Sequence, residues 1–229
     1  MLVSVAVREK CTRRGLLRHL AEIFRLPVSL GTVQNTCMRS GALLETAYGE
    51  IAASIRAAPR VYADETGWWS SGTRISLWVL CNRLVTLFAI VPRRSRKLLE
   101  SFLTRGVSRV VTSDRAKVYA HFARRQLYWA HLLRNLQAIV DAAEQGAAAA
   151  QAILDNAHKV FTLWHDFKAG RICGEVLRHR TAVHVVEIRR LLETCRDGKD
   201  PKAKAFATDL LRCWPHVFRF LREEDLEPT

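Results

Sequence analysis

The sequence lacks the patterns of a secreted or membrane-bound protein. Its six cysteines are scattered, with no Cys-x-x-Cys pair and no cysteine–histidine cluster at the spacing of a zinc site. We therefore expect reduced cysteines that serve mainly in packing. No apolar run reaches transmembrane length, and the apolar N-terminal stretch is too short and wrongly flanked for a signal peptide. These absences predict a soluble, cytoplasmic protein.

Acidic residues are also scarce relative to basic ones. The chain has 22 Asp and Glu against 36 Lys and Arg, which gives a formal net charge of +14. The excess is spread along the chain, and a broad basic surface binds polyanions because neutralised phosphates release their counterions. Nucleic acid is therefore the first candidate partner, with solubility alone as the alternative. At 229 residues and 49% hydrophobic content, the chain is long and apolar enough to bury a core.

The first 58 residues have a helical pattern. Residues 16–24 predict a short amphipathic helix, Pro27 interrupts it, and Ser29 is a suitable N-cap for a long second helix. Two helices joined by a turn, with arginines nearby, are typical both of a DNA-reading unit and of a simple packing hairpin. Both interpretations stay open for this helix-turn-helix-like segment.

After Ala58 the pattern changes to short apolar runs separated by turn residues. They predict three antiparallel strands, a helix, a fourth strand, a short helix and a fifth strand. The strands are expected at residues 61–66, 75–79, 84–91, 107–113 and 125–129, and the longer helix at 93–103. After His131 the sequence is almost wholly helical. We therefore expect an N-terminal segment (1–58), an α/β core (59–146) and a helical insertion region (147–229).

Two aspartates end two of the predicted strands. Asp64 closes the apolar run of the first strand, and Asp114 closes that of the fourth. Strand ends are rigid supports, and hard divalent cations such as Mg²⁺ prefer oxygen ligands. The pair therefore predicts a divalent-metal site of the kind that acts on phosphodiesters.

The predicted strand order resembles the ribonuclease H-like fold, which is an α/β fold with a mixed five-stranded sheet. In that fold the first strand lies centrally and the fourth pairs beside it. The resemblance implies that Asp64 and Asp114 meet at one edge of the sheet.

Four segments in series resemble the central domain of the insertion-sequence-66 family of bacterial transposases. They are Leu26–Thr32, Tyr62–Trp68, Val111–Arg115 and Tyr128–His131. Together they span most of the chain in the order found in the family. The resemblance implies strand cleavage and transfer on double-stranded DNA at insertion-sequence ends, by a homo-oligomer assembled on that DNA.

The resemblance also implies a catalytic site of the Asp, Asp, Glu type. Asp64 and Asp114 match its two aspartates, so both are expected to be catalytic and to bind two Mg²⁺ or Mn²⁺ ions. Asp64 is expected to be shared between the metals. Asp114 is expected to hold one metal from the side.

The third acid of the family lies beyond a stretch similar to Glu227–Thr229, with which this sequence ends. The chain is therefore expected to lack that ligand and to be a truncated fragment. Glu144 is the alternative, because simpler enzymes of the fold carry a glutamate at a similar distance after the second aspartate. The alternative functions are a catalytically inactive DNA-binding remnant and a ribonuclease H-like nuclease that uses Glu144.

Basic residues near the aspartates are candidates for DNA contact. They are Arg93, Arg94, Arg96, Lys97, Arg115, Lys117, His131 and Arg134. His131 and the other members of this group are also compatible with packing or ordinary surface charge. Strand alternation predicts that Glu65 faces away from Asp64 and is structural. Trp68 and Trp69, in a predicted loop, fit either hydrophobic packing or stacking on an unpaired base.

Overall fold

The computed structural model describes residues 11–228 except 71, 93–95, 104–107 and 143. The chain divides into two compact units, with the boundary between Ser54 and Ile55. The second unit has the mixed α/β composition that the sequence predicts. The finer division at residues 58 and 146 stays a prediction.

Two capped helices form most of the N-terminal unit. Helix α1 (Arg13–Glu22) begins after Thr12, whose hydroxyl accepts the Gly15 N–H at 3.0 Å. Helix α2 (Leu30–Leu43) begins after Ser29, whose hydroxyl accepts the Thr32 N–H, so the predicted N-cap is confirmed. The fully buried side chains of this unit's small core are Leu16, Leu20 and Val33.

The predicted long second helix is wrong, because it is interrupted. Helix α2 ends at Leu43 and α3 (Glu45–Ala57) follows after a single residue. The Leu44 N–H bonds to the Gly41 carbonyl at 3.0 Å, three residues back, so the last turn of α2 tightens. The side-chain periodicity continues across this point and no proline marks it, which explains why the pattern did not reveal the break.

The second unit is built on a five-stranded mixed sheet. Its strands are β1 (Arg60–Ser70), β2 (Thr73–Cys81), β3 (Thr86–Val91), β4 (Val110–Ser113) and β5 (Arg125–Leu127). The spatial order is β3-β2-β1-β4-β5. Strand β1 pairs with β2, and β2 with β3, in antiparallel fashion, whereas β1–β4 and β4–β5 are parallel. The predicted mixed sheet of five strands is confirmed.

The first hairpin is longer than predicted. Strand β1 continues through Trp68 and Trp69, so the loop expected at these residues is wrong. The pair Ser70–Thr73 closes the hairpin, and Gly72 there has φ +75°, a conformation that suits glycine. Cross-strand pairing with β2 therefore overrides the turn signal that the sequence gives at this point.

The second hairpin turn is held by Asn82. Its N–H donates to the Val85 carbonyl at 3.0 Å, and its side-chain oxygen accepts the N–H groups of Leu84 and Val85. A turn near residue 82 is thus confirmed. Strand β3 begins at Thr86 and not at Leu84, because these bonds take up the turn residues.

A short helix and a 3₁₀ turn flank β4. Helix α4 (Arg96–Phe102) precedes the strand and the 3₁₀ turn Lys117–Tyr119 follows it. Residues 93–95 of the predicted helix and residue 107 of the predicted strand lie outside the described residues. Strand β5 ends at Leu127, two residues earlier than predicted, since Trp129 already begins the next helix.

The rest of the chain is helical, as predicted. Its elements are α5 (Trp129–Asp141), α6 (Ala147–Lys168), α7 (Gly174–Asp197), α8 (Pro201–Arg212) and the 3₁₀ turns Trp214–His216 and Arg219–Leu221. Their apolar faces share one core with Leu127 of β5. None of the described helices is long and apolar enough to cross a membrane.

Buried polar contacts join the sheet to the last turns. The fully buried Gln126 donates to the Val217 carbonyl at 2.9 Å and accepts the Phe220 N–H at 2.9 Å. Farther along, the Glu227 N–H donates to the Tyr62 hydroxyl at 3.0 Å. The segment around Glu227 therefore contacts the strand that carries Asp64.

Candidate metal centre

Asp64 and Asp114 follow the paired segments of two neighbouring parallel strands. In the parallel ladder each β1 residue pairs with the β4 residue fifty positions later, ending with Tyr62 and Thr112. Neighbouring strands lie about 4.8 Å apart where they pair, and each aspartate comes two residues after the last pair. The expected strand-end position is correct for Asp114, which follows β4, and wrong for Asp64, because β1 continues to Ser70. That the two carboxylates meet stays a prediction.

Electrostatic effects on nearby phenols agree with this placement. Burial raises the pKa of the Tyr128 hydroxyl, and the negative charges of Asp64 and Asp114 raise it further. Burial also raises the pKa of Tyr119, where both aspartates again contribute. Both carboxylates therefore act on the same two tyrosines.

Each carboxylate is oriented by its own backbone. Oδ1 of Asp64 accepts the Glu65 N–H at 2.9 Å, and Oδ1 of Asp114 accepts the Ala116 N–H at 2.9 Å. The second of these bonds is an Asx turn, which fixes the chain as it leaves β4. Among the described residues no hydrogen bond engages Oδ2 of either aspartate. One oxygen of each carboxylate is therefore available to a ligand.

The two half-buried carboxylates form no ion pair with the cationic side chains described, although the Asp114 charge acts on the buried Arg125 guanidinium and offsets part of the lowering of its pKa by burial. Neither Asp64 nor Asp114 forms an ion pair with a described Lys, Arg or His, although the chain has a formal net charge of +14. Two adjacent carboxylates repel each other, and a cation bound between them relieves that repulsion. Mg²⁺ is commonly held by one or two carboxylates, with waters and substrate phosphates completing its shell. The donor set therefore fits a hard divalent cation.

A third acidic ligand is not found among the residues described. They contain no cluster of three or more His, Cys, Asp or Glu side chains suited to a metal. Glu144 follows α5, whose 13 residues carry the chain about 20 Å away from β5, and its carboxylate lies 3.6 Å from Lys202 Nζ. Glu227 is close to Tyr62, but its carboxylate pairs with Lys168 at 2.7 Å.

Glu65 occupies the opposite face of β1, as alternation predicts. It is buried, and a carboxylate oxygen accepts a hydrogen bond from the Tyr119 hydroxyl. Tyr119 in turn meets Trp78 edge to face, with ring centroids 6.0 Å apart. Trp78 is the cross-strand partner of Glu65 on β2.

Arg115 is directed towards the helices. Its guanidinium lies 3.1 Å from the Asp209 carboxylate and 4.9 Å from the centroid of the Phe206 ring, both on α8. Only 19% of the Arg115 side chain is exposed. We therefore assign Arg115 to the fold and leave it out of the proposed DNA contacts.

The other predicted DNA contacts are distributed around the aspartates. Lys117 and Arg134 are exposed, whereas His131 is half-buried and stacks on Tyr128 at a centroid distance of 5.8 Å. Arg96 and Lys97 open α4, but their side chains lie outside the description, as do residues Arg93 and Arg94 altogether. Lys117 and Arg134 are thus accessible basic side chains, and their contact with phosphate stays a prediction.

Several residues around the aspartates were missed from the sequence. Tyr62 precedes Asp64 by two residues, so strand alternation places it on the same face, and Tyr128 directly follows β5. Arg125, which is buried, donates to the Asp114 carbonyl at 3.0 Å, and burial lowers its pKa. The strand periodicity could have identified Tyr62, but nothing local marks Arg125.

Trp69 lies on the part of β1 that projects past β4. Strand β4 pairs only with residues 60–62 of β1, whereas the hairpin with β2 continues to Ser70. The Trp69 side chain is 73% exposed, and its cross-strand partner is the exposed Arg74. At about 3.3 Å per residue, Trp69 lies about 17 Å from Asp64 along the strand. Hydrophobic packing was one of the two roles expected for Trp68 and Trp69. It does not apply to Trp69, because this side chain is mostly exposed.

Similarity to known proteins is found at the level of the family. No curated protein and no solved structure gives a significant match to the chain. The model of the Transposase IS66 family matches residues 8–229, which include both aspartates and every helix and strand described above. This protein therefore belongs to the IS66 family of transposases.

Proposed function

We propose that this chain carries the metal-dependent DNA cleavage and strand-transfer site of an insertion-sequence transposase. The observation that carries the proposal is that Asp64 and Asp114 each lie two residues beyond the last paired residues of neighbouring parallel strands, each with a carboxylate oxygen that no described hydrogen bond engages. The strand order β3-β2-β1-β4-β5 supports a ribonuclease H-like core, in which the first and fourth strands bring their acids together.

The two aspartates would hold Mg²⁺ or Mn²⁺ against the scissile phosphate. Such ions, when bound, activate an attacking water or 3′-hydroxyl and stabilise the leaving oxygen. Asp64, fixed within the continuous strand β1, is suited to a position shared between two ions. Asp114 is held by its Asx turn and would bind one ion from the side.

Double-stranded DNA at insertion-sequence ends is the proposed substrate. Lys117 and Arg134 are exposed on the elements that follow β4 and β5 and would contact phosphates beside the aspartates. The formal charge of +14 supports this partner, because phosphate contacts supply most sequence-independent affinity for DNA. A homo-oligomer that joins two such ends is part of the same proposal.

Metal binding by the apoprotein tests the proposal most directly. At Mn²⁺ concentrations about 100-fold above the dissociation constant, binding should raise the free energy of unfolding by about 2.7 kcal/mol. Asp64→Asn and Asp114→Asn should abolish this increase. Without metal both variants should be at least as stable as the unmodified protein, because carboxylate repulsion is reduced.

Asp155→Asn is the matched control, because Asp155 is exposed on α6 and bonds only to Gln151 among the described residues. It should retain the full metal-induced stabilisation. Equal stabilisation of all four proteins would overturn the metal site. Magnesium-dependent cleavage of duplex DNA carrying an insertion-sequence end, lost in Asp64→Asn, would establish the catalytic part of the proposal.

A DNA-binding protein without catalysis is the second candidate. The observation in its favour is that the described residues contain no cluster of three or more side chains suited to a metal. It predicts retained DNA binding with no metal-dependent cleavage. A nuclease that relies on Glu144 is disfavoured by the helix that separates Glu144 from the aspartates.

A further inference from the structure

We propose that Glu65 and Tyr119 act as a positioning pair that holds Asp64 and Asp114 at the spacing a metal requires. The inference rests on the proposed function and extends it to residues outside the aspartate pair. Glu65 adjoins Asp64, and Tyr119 lies five residues after Asp114, at the end of the 3₁₀ turn. Their side-chain hydrogen bond joins the two chain segments that carry the aspartates.

The backbone alone does not fix the spacing of the aspartates. The last hydrogen-bonded pair of the β1–β4 ladder is Tyr62 and Thr112, and β4 itself ends at Ser113. Asp114 therefore belongs to the segment that leaves the sheet, while Asp64 lies within a strand that continues. A contact beyond the ladder is needed to hold these diverging segments together. The Glu65–Tyr119 bond lies just past that point.

Both members of the Glu65–Tyr119 pair are buried in the protein core. Glu65 is 8% exposed and Tyr119 is fully buried against Trp78. Burying a carboxylate costs free energy that an apolar residue at the same position avoids. A buried acid bonded to a buried phenol is therefore suited to specifying one geometry and not to adding stability. Side chains that orient metal ligands from outside the coordination shell work in this way.

Direct metal ligation by Glu65 is the alternative role. Alternation places its side chain on the face of β1 opposite to Asp64, where Tyr119 bonds to it. The two roles make different predictions for Tyr119. A ligand role makes Glu65 essential and Tyr119 dispensable, whereas a positioning pair makes both matter by similar amounts.

Mn²⁺ affinity of the full chain distinguishes these roles, measured by electron paramagnetic resonance of free Mn²⁺. Tyr119→Phe keeps the buried ring and removes only the hydroxyl, so it should fold, and Glu65→Met keeps the length of the side chain but removes the oxygens that accept the bond. Each should weaken Mn²⁺ binding about 10- to 100-fold, the range found when groups behind metal ligands are changed. The double variant should be no weaker than the weaker single variant, because both changes break the same bond.

Val160→Ala in the helical core serves as the stability control, because Val160 is fully buried in the core that the helices share. It should lower the melting temperature and leave Mn²⁺ affinity unchanged, which separates positioning from general destabilisation. Unchanged affinity in Tyr119→Phe would overturn the positioning pair, even if Glu65→Met lost all binding. Failure of the unmodified protein to bind Mn²⁺ would instead overturn the proposed function, and the positioning role with it.

Discussion

The Arg115 guanidinium and the Asp209 carboxylate lie 3.1 Å apart, which ties the residue after Asp114 to helix α8. The same guanidinium covers the ring of Phe206. Because these two contacts engage the charge of Arg115, the loop that carries Asp114 is braced by the helical region. The adjacent basic residue, Lys117, is exposed and has no such role.

Arg115 and Lys117 should therefore respond differently to replacement by glutamine. Arg115→Gln should lower the free energy of unfolding by about 1–2 kcal/mol, through loss of the ion pair and the cation–π contact. Urea denaturation checks this value. Lys117→Gln should change stability by less than about 0.5 kcal/mol.

For DNA binding, we expect the larger effect from Lys117→Gln and the smaller from Arg115→Gln. Lys117→Gln should reduce the slope of log affinity against log salt by about one, as expected for one lost phosphate contact. Arg115→Gln should leave that slope unchanged. A lower slope for Arg115→Gln, with unchanged stability, would show that Arg115 meets DNA and not α8.

Trp69 should contribute to the binding of unpaired bases. The exposed ring, with Arg74 opposite, offers a stacking surface and a cation on the hairpin that projects past β4. Trp69→Ala should therefore weaken binding of single-stranded DNA by about 1–3 kcal/mol, the range for base–aromatic stacking. Fluorescence anisotropy with labelled oligonucleotides at constant salt measures the change.

Ile90→Ala is the control for this experiment, because Ile90 is an exposed apolar residue on the same sheet, 63% accessible. It should leave the affinity for single-stranded DNA unchanged. An equal loss in Ile90→Ala and Trp69→Ala would argue for a general apolar effect in place of stacking.

Gly146 should not tolerate a side chain. A Cβ atom at this position would lie 2.5 Å from Ala203 Cβ and 2.7 Å from Asp200 Oδ2. Asp200 caps α8 and also accepts the Gly146 N–H at 3.0 Å, so neither neighbour can move freely. Gly146→Ala should therefore lower the free energy of unfolding by about 1–3 kcal/mol, the usual cost of overpacking.

Gly49 supplies the matched substitution. It lies within α3, and a Cβ atom there would have nothing within 4 Å. Gly49→Ala should stabilise the protein by up to about 1 kcal/mol, because alanine favours the helix interior. Thermal melts of the two variants should shift in opposite directions, and a stabilised Gly146→Ala protein would contradict the packing described here.

The features that could be predicted from the sequence are those set by local patterns. Alternating apolar residues indicated the order of strands, and Asp64 and Asp114 were recognisable because each ends an apolar run. The N-cap at Ser29 likewise follows from neighbouring residues alone. So does the position of Glu65 on the face of β1 opposite to Asp64.

The features that could not be predicted depend on distant partners. The direction of the Arg115 side chain is set by its ion pair with Asp209, which lies on a helix far along the chain. The extension of β1 through Trp69 is decided by its pairing with β2. Tyr119 bonds to a residue 54 positions earlier in the chain, so its sequence neighbours give no sign of this contact.

The hydrogen bond between Tyr62 and Glu227 links residues 165 positions apart. During synthesis, strand β1 leaves the ribosome long before the segment that will cover it, and even β4 follows it by some fifty residues. Contacts of such long sequence separation form slowly, because the intervening chain must first close a large loop. The part of the sheet that carries Asp64 is therefore completed only after Glu227 has been synthesised, by which time the helical region is available to fold with it.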